Sequence, residues 1–594
     1  MIFVQNVTVI LSTLLLFTLC GWCVVAPFGR QIAFPAACAA FSGLLLLPCA
    51  ALAIHVILMM TYWKATLVAG GALLSVSLLA VYVFGRQDMV SGLPCLVVAA
   101  IALSVCATLT VTRTDLFFGG PALLYANGTD QLGYANIADW IRMHVTNTAL
   151  THPPEDIYGS YPDYLFTRDP RFGSFSLLAL VSVISGRSAA FAYDLTCAIA
   201  LTAASIGVSA VFSRTRAVFL LLAAALFVSV WFDFGLIGYL GKIVGFPATI
   251  LVVAMFFALC RLISVEEEFP LAALGALVAC VICTVLMFNA QLTAVALGVF
   301  GSCFLVTRLV WEQRDALMVS QTARCSMILA ALIVIAVVSS GVVARPLYTG
   351  FIPMSLDWKI LADWAMQIAG PLGTTGPVLL VGPMRIIFTT VFVCICISAI
   401  IWKSPGATAL VLGSATMAGM LYAFDERWRF YEISLLFVAT PICAVAVLLN
   451  EELFLAGRVR FWIFFAVLLL TPVGFGLPRF VNGLSSLGGD STPPLYRFSL
   501  EETDRMADVV ASGAVIDVGE APQFNIFLVV ELGRRGIPFQ VSEKSWRTFM
   551  GYRPWPIPHY DKPMPISIVL RSEANSAAPG LLMRTTQFDV MRRP

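Results

Sequence analysis

Asp130 and Tyr134 stand one helical turn apart in Asn127-Gly-Thr-Asp130-Gln-Leu-Gly-Tyr134-Ala-Asn-Ile-Ala-Asp139-Trp140, inside a polar island at 113–171 between two long apolar stretches. The island holds seven carboxylates, Asp115, Asp130, Asp139, Glu155, Asp156, Asp163 and Asp169, with two histidines and several aromatic residues. A carboxylate just beyond the end of a membrane-spanning helix can take the proton of an incoming hydroxyl or amine. Asp130 is therefore the candidate general base. Tyr134, Asp139 and Trp140 follow at a spacing that suits a short amphipathic helix, which makes Tyr134 and Asp139 candidate substrate contacts. The same residues have a plainer reading, because Thr129 or Asp130 would also serve as the N-cap of that helix.

A second cluster, Phe424-Asp-Glu-Arg427-Trp428-Arg429-Phe-Tyr-Glu432, reads as a short turn between two apolar helices. Arg427 and Arg429 can make forked hydrogen bonds to phosphate oxygens while Trp428 and its neighbours pack against a lipid or sugar. Alternatively, Asp425, Glu426 and Glu432 neutralise the arginines and the aromatics form an interfacial belt. Lys242 and Arg345 fall on the same expected face and could add charge to a phosphate site, or simply snorkel to the interface. His144 and His152, with Asp130 or Asp163, are the candidate ligands for a divalent metal. Their spacing is loose, so no metal site is assigned and no cofactor is implied. Cys280-Val-Ile-Cys283 lies in an apolar run without histidine or carboxylate company, and the fifteen cysteines mostly read as small hydrophobes. Asn127-Gly-Thr129 fits a glycosylation sequon, which matters only in a eukaryotic source.

The elements that must position these residues are membrane helices. With 59% hydrophobic and 12% charged residues, the chain is too apolar for a soluble protein. A net charge of +2 and the absence of a basic run argue against nucleic acid as a partner. Apolar runs lie near 7–28, 33–62, 66–84, 92–112, 188–212, 217–232, 246–263, 270–288, 291–308, 326–343, 384–402, 406–423, 433–449 and 461–478. At about 20 residues per crossing this predicts an α-helical polytopic membrane protein of about 13–15 transmembrane helices. The first run lacks a basic front and a small-residue cleavage site, and reads as a retained helix. The stretch 173–186 is too short to span and suits a helix lying in the interface or dipping partly into lipid.

Counting alternate loops puts Arg30, Arg86, Arg214, Arg216, Arg261, Arg308, Arg314, Arg324, Lys403, Arg458 and Arg460 on one side, cytoplasmic by the positive-inside rule. The other face then carries the acidic loop, the 344–383 connection, the Phe424–Glu432 turn and the region from 479. From 480 onward the composition is globular. Ala514-Val-Ile-Asp-Val518, Ala521–Arg535 and Ile537-Pro-Phe-Gln-Val541 read as strand, helix, strand, with Gly536 at a helix C-cap. The expected organisation is N-terminal helices at 1–112, the acidic loop with its interfacial helix at 113–187, a transmembrane core at 188–478 and a small extracytoplasmic α/β domain at 479–594.

Asp130-Gln-Leu-Gly-Tyr134-Ala-Asn-Ile-Ala138 is similar to the D-E-x-x-Y-x-x-x-A element in the first outer loop of GT-C glycosyltransferases, which include protein O-mannosyltransferases and lipid A aminoarabinose transferases. Gln131 replaces the second acid, which leaves Asp130 as the single candidate base. The segment Arg171–Gly186 resembles the half-buried helix that follows that loop. Glu426-Arg427-Trp428 and Arg429-Phe430-Tyr431 both resemble the late E-x-R-Y element whose arginine engages the donor phosphate. The resemblance runs from about residue 92 to the C-terminus, with three or four additional helices before the acidic loop. It implies an inverting transferase that takes a sugar from a polyprenyl-phosphate donor to a glycan, lipid or protein acceptor. It further implies a multi-pass protein, in bacteria of the inner membrane, whose site faces the periplasm. An O-antigen-type polymerase or ligase, or a lipid-linked glycan transporter or flippase, is the competing expectation. Charge within the spans is sparse, with Asp194 almost the only instance, and that scarcity speaks against ion-coupled transport.

Overall fold

In the computed structural model the described residues are 2–29, 31–84, 92–112, 128–144, 172–230, 240–265, 270–287, 290–312, 315–339, 397–423, 427–450, 499–519, 522–542, 564–572 and 580–593, with Leu116 and Ile395. Among the described residues fourteen α-helices of ten residues or more precede the C-terminal region. They are α1 (Ile2–Val25), α2 (Pro35–Leu58), α3 (Tyr62–Phe84), α4 (Leu93–Thr110), α5 (Gly128–Met143), α6 (Phe172–Ser185), α7 (Ala189–Phe212) and α8 (Arg216–Ala225), then α9 (Leu240–Val265), α10 (Leu271–Met287), α11 (Ala290–Trp311), α12 (Ala316–Ser339), α13 (Pro405–Ala423) and α14 (Arg427–Asn450). Eight helices among the described residues are long and apolar enough to cross a membrane. The chain is a multi-pass integral membrane protein. The expected run at 461–478 and most of that at 384–402 lie outside the described residues.

Two boundaries differ from expectation. The run 33–62 ends as a helix at Leu58, because Met59 adopts a left-handed conformation (φ 49°) and the Met60 carbonyl meets His55 Nδ1 at 2.6 Å, so Tyr62 already belongs to α3. Unbroken apolar composition hid this reversal. The second difference concerns α6, expected at the lipid interface: all residues from Gly173 to Ser182 are buried. Tyr62 Oη donates to the Ser176 carbonyl at 2.7 Å, and Ser176 Oγ donates to the Pro48 carbonyl at 2.7 Å. Neighbouring helices, not lipid, enclose this short segment, and they satisfy its hydroxyls.

Helices α1 and α2 cross at Gly21 and Gly43, where a β-carbon on either glycine would collide with backbone of the other helix, Ala39 O and Phe17 O respectively. Small residues at such a crossing let backbones approach closely, the main source of helix association in an apolar solvent. α7 and α9 form the interior, nearly every residue of each being buried. At one end Leu240 N–H of α9 donates to Tyr193 Oη of α7 at 3.1 Å. At the other end Asn450 of α14 donates through Nδ2 to Phe212 O and accepts from Arg214 N–H at 2.9 Å. Arg308 at the end of α11 donates to Cys260 O near the end of α9, at 2.9 Å. α7, α9 and α14 therefore run in the same direction. A 24-residue helix such as α7 is about 36 Å long, enough to cross a hydrocarbon core of about 30 Å. The Ala189 end and the Asn450 end of the bundle are its two membrane faces.

The described C-terminal residues add helices α15 (Leu500–Val509) and α16 (Pro522–Arg534) and strands β1 (Ala514–Asp517), β2 (Phe539–Val541), β3 (Ile566–Leu570), β4 (Leu581–Arg584) and β5 (Phe588–Arg592). The sheet order is β2-β1-β3-β5-β4, parallel across β2, β1 and β3 and antiparallel across β3, β5 and β4. Gly536 (φ 66°) ends α16 as expected: its N–H donates to Gly533 O at 2.9 Å and Ile537 N–H donates to Leu532 O at 3.1 Å. This is the paired closure that a left-handed residue after a helix makes possible.

Candidate functional site

The acidic-loop helix α5 is not a surface helix with one wet face. Every residue from Tyr134 to Ile141 is buried, including Asn136 and Asp139, because α5 lies against α6, α7 and α16. The Tyr134 ring packs on Phe175 of α6 (4.9 Å between centroids) and on Tyr193 of α7 (6.3 Å). Trp140 stacks on His144 at 5.4 Å. Tyr134 lies beside Tyr193 and Asp139 beside Ala189, so α5 runs antiparallel to the first turns of α7. It carries the Asp130 backbone about 6 Å further along its axis than Tyr134.

Asp139 anchors a chain of polar contacts through this end of the bundle. Its carboxylate accepts Ala189 N–H at 3.1 Å, an unpaired donor of the first turn of α7, and lies 3.7 Å from Arg142. Arg142 donates to Ser182 Oγ (2.6 Å) and to Arg187 O (2.9 Å); Arg187 in turn donates to Asn6 Oδ1 of α1 at 2.9 Å. On the other side Ser188 Oγ donates to Glu531 Oε1 of α16 at 3.1 Å. Glu531 is fully buried and also accepts from Arg534 (2.8 Å) and Arg535 (2.7 Å), and Arg535 pairs with Asp504 of α15. Buried charges survive only when paired and hydrogen-bonded, and these are both. The network thus fastens the C-terminal region to the transmembrane bundle.

Burial pushes the Asp139 carboxyl up to about 6, opposed by the nearby Arg142 and reinforced by Glu531. A carboxyl with a higher pKa folded than unfolded binds more protons in the folded state between about 3.8 and 6, so stability falls as pH rises through that window. Thermal unfolding of the purified protein is expected to show this contribution, on the order of 1–3 kcal/mol, as a difference between parent and Asp139→Asn that grows from pH 4 to pH 7. Parallel pH profiles for the two proteins would rule it out.

Asp130 lies in the first turn of α5, which begins at Gly128, so it is not the cap residue. Lys242 is the third residue of α9 and is buried, two positions after the Leu240 amide that Tyr193 holds. The expected loop Phe424–Glu432 is largely helical: α14 begins at Arg427, which puts Arg427, Trp428 and Arg429 in its first turn. The aromatic and apolar residues after Arg427 continue a helix as readily as they form a belt. Arg345, His152 and Asp163 lie outside the described residues, as do the side chains of Asp130, Arg427, Trp428 and Arg429.

Helix direction brings these positions together. α7, α9 and α14 start at the Ala189 end, so the backbones of Lys242, Arg427 and Arg429 share that end with α5 and hence with Asp130. The N-termini of α9 and α14, with their positive dipole ends, join these three basic residues there, an arrangement that attracts anions, while the start of α7 is taken by Asp139. Among the described residues no three His, Cys, Asp or Glu side chains group as a metal site. The partners of Asp139, namely Arg142, Arg187, Glu531 and Arg534, escape a reading of the sequence. The available signal is Glu531 with arginines three and four positions later on a helix otherwise rich in apolar residues. No family model matches this chain, and no curated protein matches it.

Proposed function

We propose that the protein is an inverting membrane glycosyltransferase that moves a sugar from a polyprenyl-phosphate donor to a glycan, lipid or protein acceptor at the extracytoplasmic face. Asp130 takes the acceptor proton as the acceptor attacks the anomeric carbon. Arg427 or Arg429, assisted by Lys242 and Arg345, receives the phosphate that departs. Charge builds on that phosphate as the glycosidic bond breaks, and fixed cations in a poorly hydrated site stabilise it better than water does. The observation that supports this reading is that the backbones of Asp130, Lys242, Arg427 and Arg429, far apart in sequence, share one end of the bundle beside the N-termini of α9 and α14. The region from 479, read as an extracytoplasmic α/β domain, covers that end through α16, and the carrier in a bacterial inner membrane would be undecaprenyl phosphate.

The test uses proteoliposomes of the full chain with radiolabelled polyprenyl-phosphate sugars. Arg427→Ala or Arg429→Ala is expected to lower transfer by about 100-fold or more, the range for removing one group that stabilises developing charge. If both variants transfer sugar at the parent's rate, the phosphate assignment is wrong.

A further inference from the structure

Helix α16 of the C-terminal region packs against the acidic-loop helix α5, and the contacts of both with α7 fix their direction. Going forward along α7, Ser188 meets Glu531 and Phe191 meets Phe527 (6.3 Å between ring centroids), so α16 runs against α7. Ala189 meets Asp139 and Tyr193 meets Tyr134, so α5 also runs against α7. The two helices are therefore parallel, with their first turns at one level. Asp130 stands nine positions before Asp139 and Pro522 nine positions before Glu531, about 14 Å in each helix. α16 thus forms a wall along α5 from the level of Asp139 to that of Asp130, beside the walls that Phe175 of α6 and Tyr193 of α7 provide.

One side chain fixes the register of that wall. Glu531 is fully buried, accepts the Ser188 hydroxyl at the start of α7 and pairs with Arg534 and Arg535, and both Glu531 and Arg534 lie within electrostatic reach of Asp139. The contact of Phe527 with Phe191 is apolar and non-directional, whereas a buried carboxylate with several partners tolerates little displacement, because a lost partner leaves a charge unpaired. On the sugar-transfer reading above, we infer that Glu531 is a positioning residue: it holds α16 in register against α5 and so sets where the first turn of α5 presents Asp130. Nine residues separate its level from that of Asp130, so Glu531 does not reach the group that Asp130 deprotonates. A displacement of about 1 Å at a reacting group costs about 100-fold in rate, so a distant tie of this kind has a large effect on turnover.

The test measures transfer from radiolabelled polyprenyl-phosphate sugars in proteoliposomes of the full chain, with rates taken per folded protein well below the melting temperature. Glu531→Ala is expected to lower kcat about 10- to 100-fold while KM for the donor stays unchanged. In an Asp130→Asn background the same substitution is expected to cost no more than about twofold, because a residue that acts by placing the base has nothing left to place. A purely structural role would lower both backgrounds by the same factor. If Glu531→Ala does not fold, Ser188→Ala takes its place in the same cycle, since it removes one hydroxyl and leaves the arginine pairs intact; its expected loss is about fivefold, and again only where Asp130 is present. In a parent whose transfer depends on Asp130, equal losses in both backgrounds, or variants that turn over at the parent's rate, overturn the inference alone. A parent that transfers no sugar, or is indifferent to Asp130→Asn, overturns the sugar-transfer reading, and the inference falls with it.

Discussion

Asp130→Asn is expected to lower sugar transfer by about 100- to 10,000-fold, the contribution of a positioned general base, while leaving the protein folded. The substitution separates catalysis from structure unusually well. Asp130 lies in the first turn of α5, where a carboxylate gains only about 0.3–1 kcal/mol from the helix dipole, and asparagine keeps the shape. The thermal unfolding temperature should therefore shift by a few degrees at most while turnover collapses. Measuring both on one preparation decides the matter. Retained turnover would remove Asp130 from the mechanism, and lost folding would return it to a structural role. Donor binding should be unaffected, because in the proposed mechanism the acid acts on the acceptor, and a raised KM for donor would also contradict the assignment.

Gly43→Leu is expected to be the most damaging single change to the fold. A side chain at this position must enter the space of the Phe17 backbone, and backbone cannot move aside as a flexible side chain can. The helices would separate along the α1–α2 crossing. The loss would exceed the roughly 1–3 kcal/mol typical of overpacking. Gly71, whose added β-carbon would meet nothing within 4 Å, is the matched control on α3. Expression in membranes followed by detergent extraction should give little monodisperse Gly43→Leu and normal amounts of Gly71→Ala. Equal yields and equal melting temperatures would show that the crossing tolerates separation.

The transmembrane runs were legible because twenty consecutive apolar residues have few other uses, and Gly536 was legible because a left-handed residue must follow a helix such as α16. The strand, helix and strand over Ala514–Val541 also fall where alternating and punctuated patterns put them. Periodicity failed at α5 and α6 for one physical reason: lipid and protein interior are equally apolar, so composition cannot say which of them faces a helix. Asn136 and Asp139 of α5 and Ser174, Ser176 and Ser182 of α6 are all enclosed. Ser176 donates to the Pro48 carbonyl 128 positions away and Ser182 accepts from Arg142 40 positions away, partners that no local pattern announces. Composition marked the acidic loop as a polar island, but not the network that Asp139 anchors.

The tie between Glu531 and the start of α7 has a consequence for biogenesis. Helix α5 and the first turn of α7 are made hundreds of residues before α16, yet their polar groups acquire Ser188–Glu531 and the adjoining arginines only once α16 has been made. Until then Asp139 and its neighbours must remain hydrated at the membrane surface or be shielded by an insertion factor. Final closure of this end waits until α16 has been made.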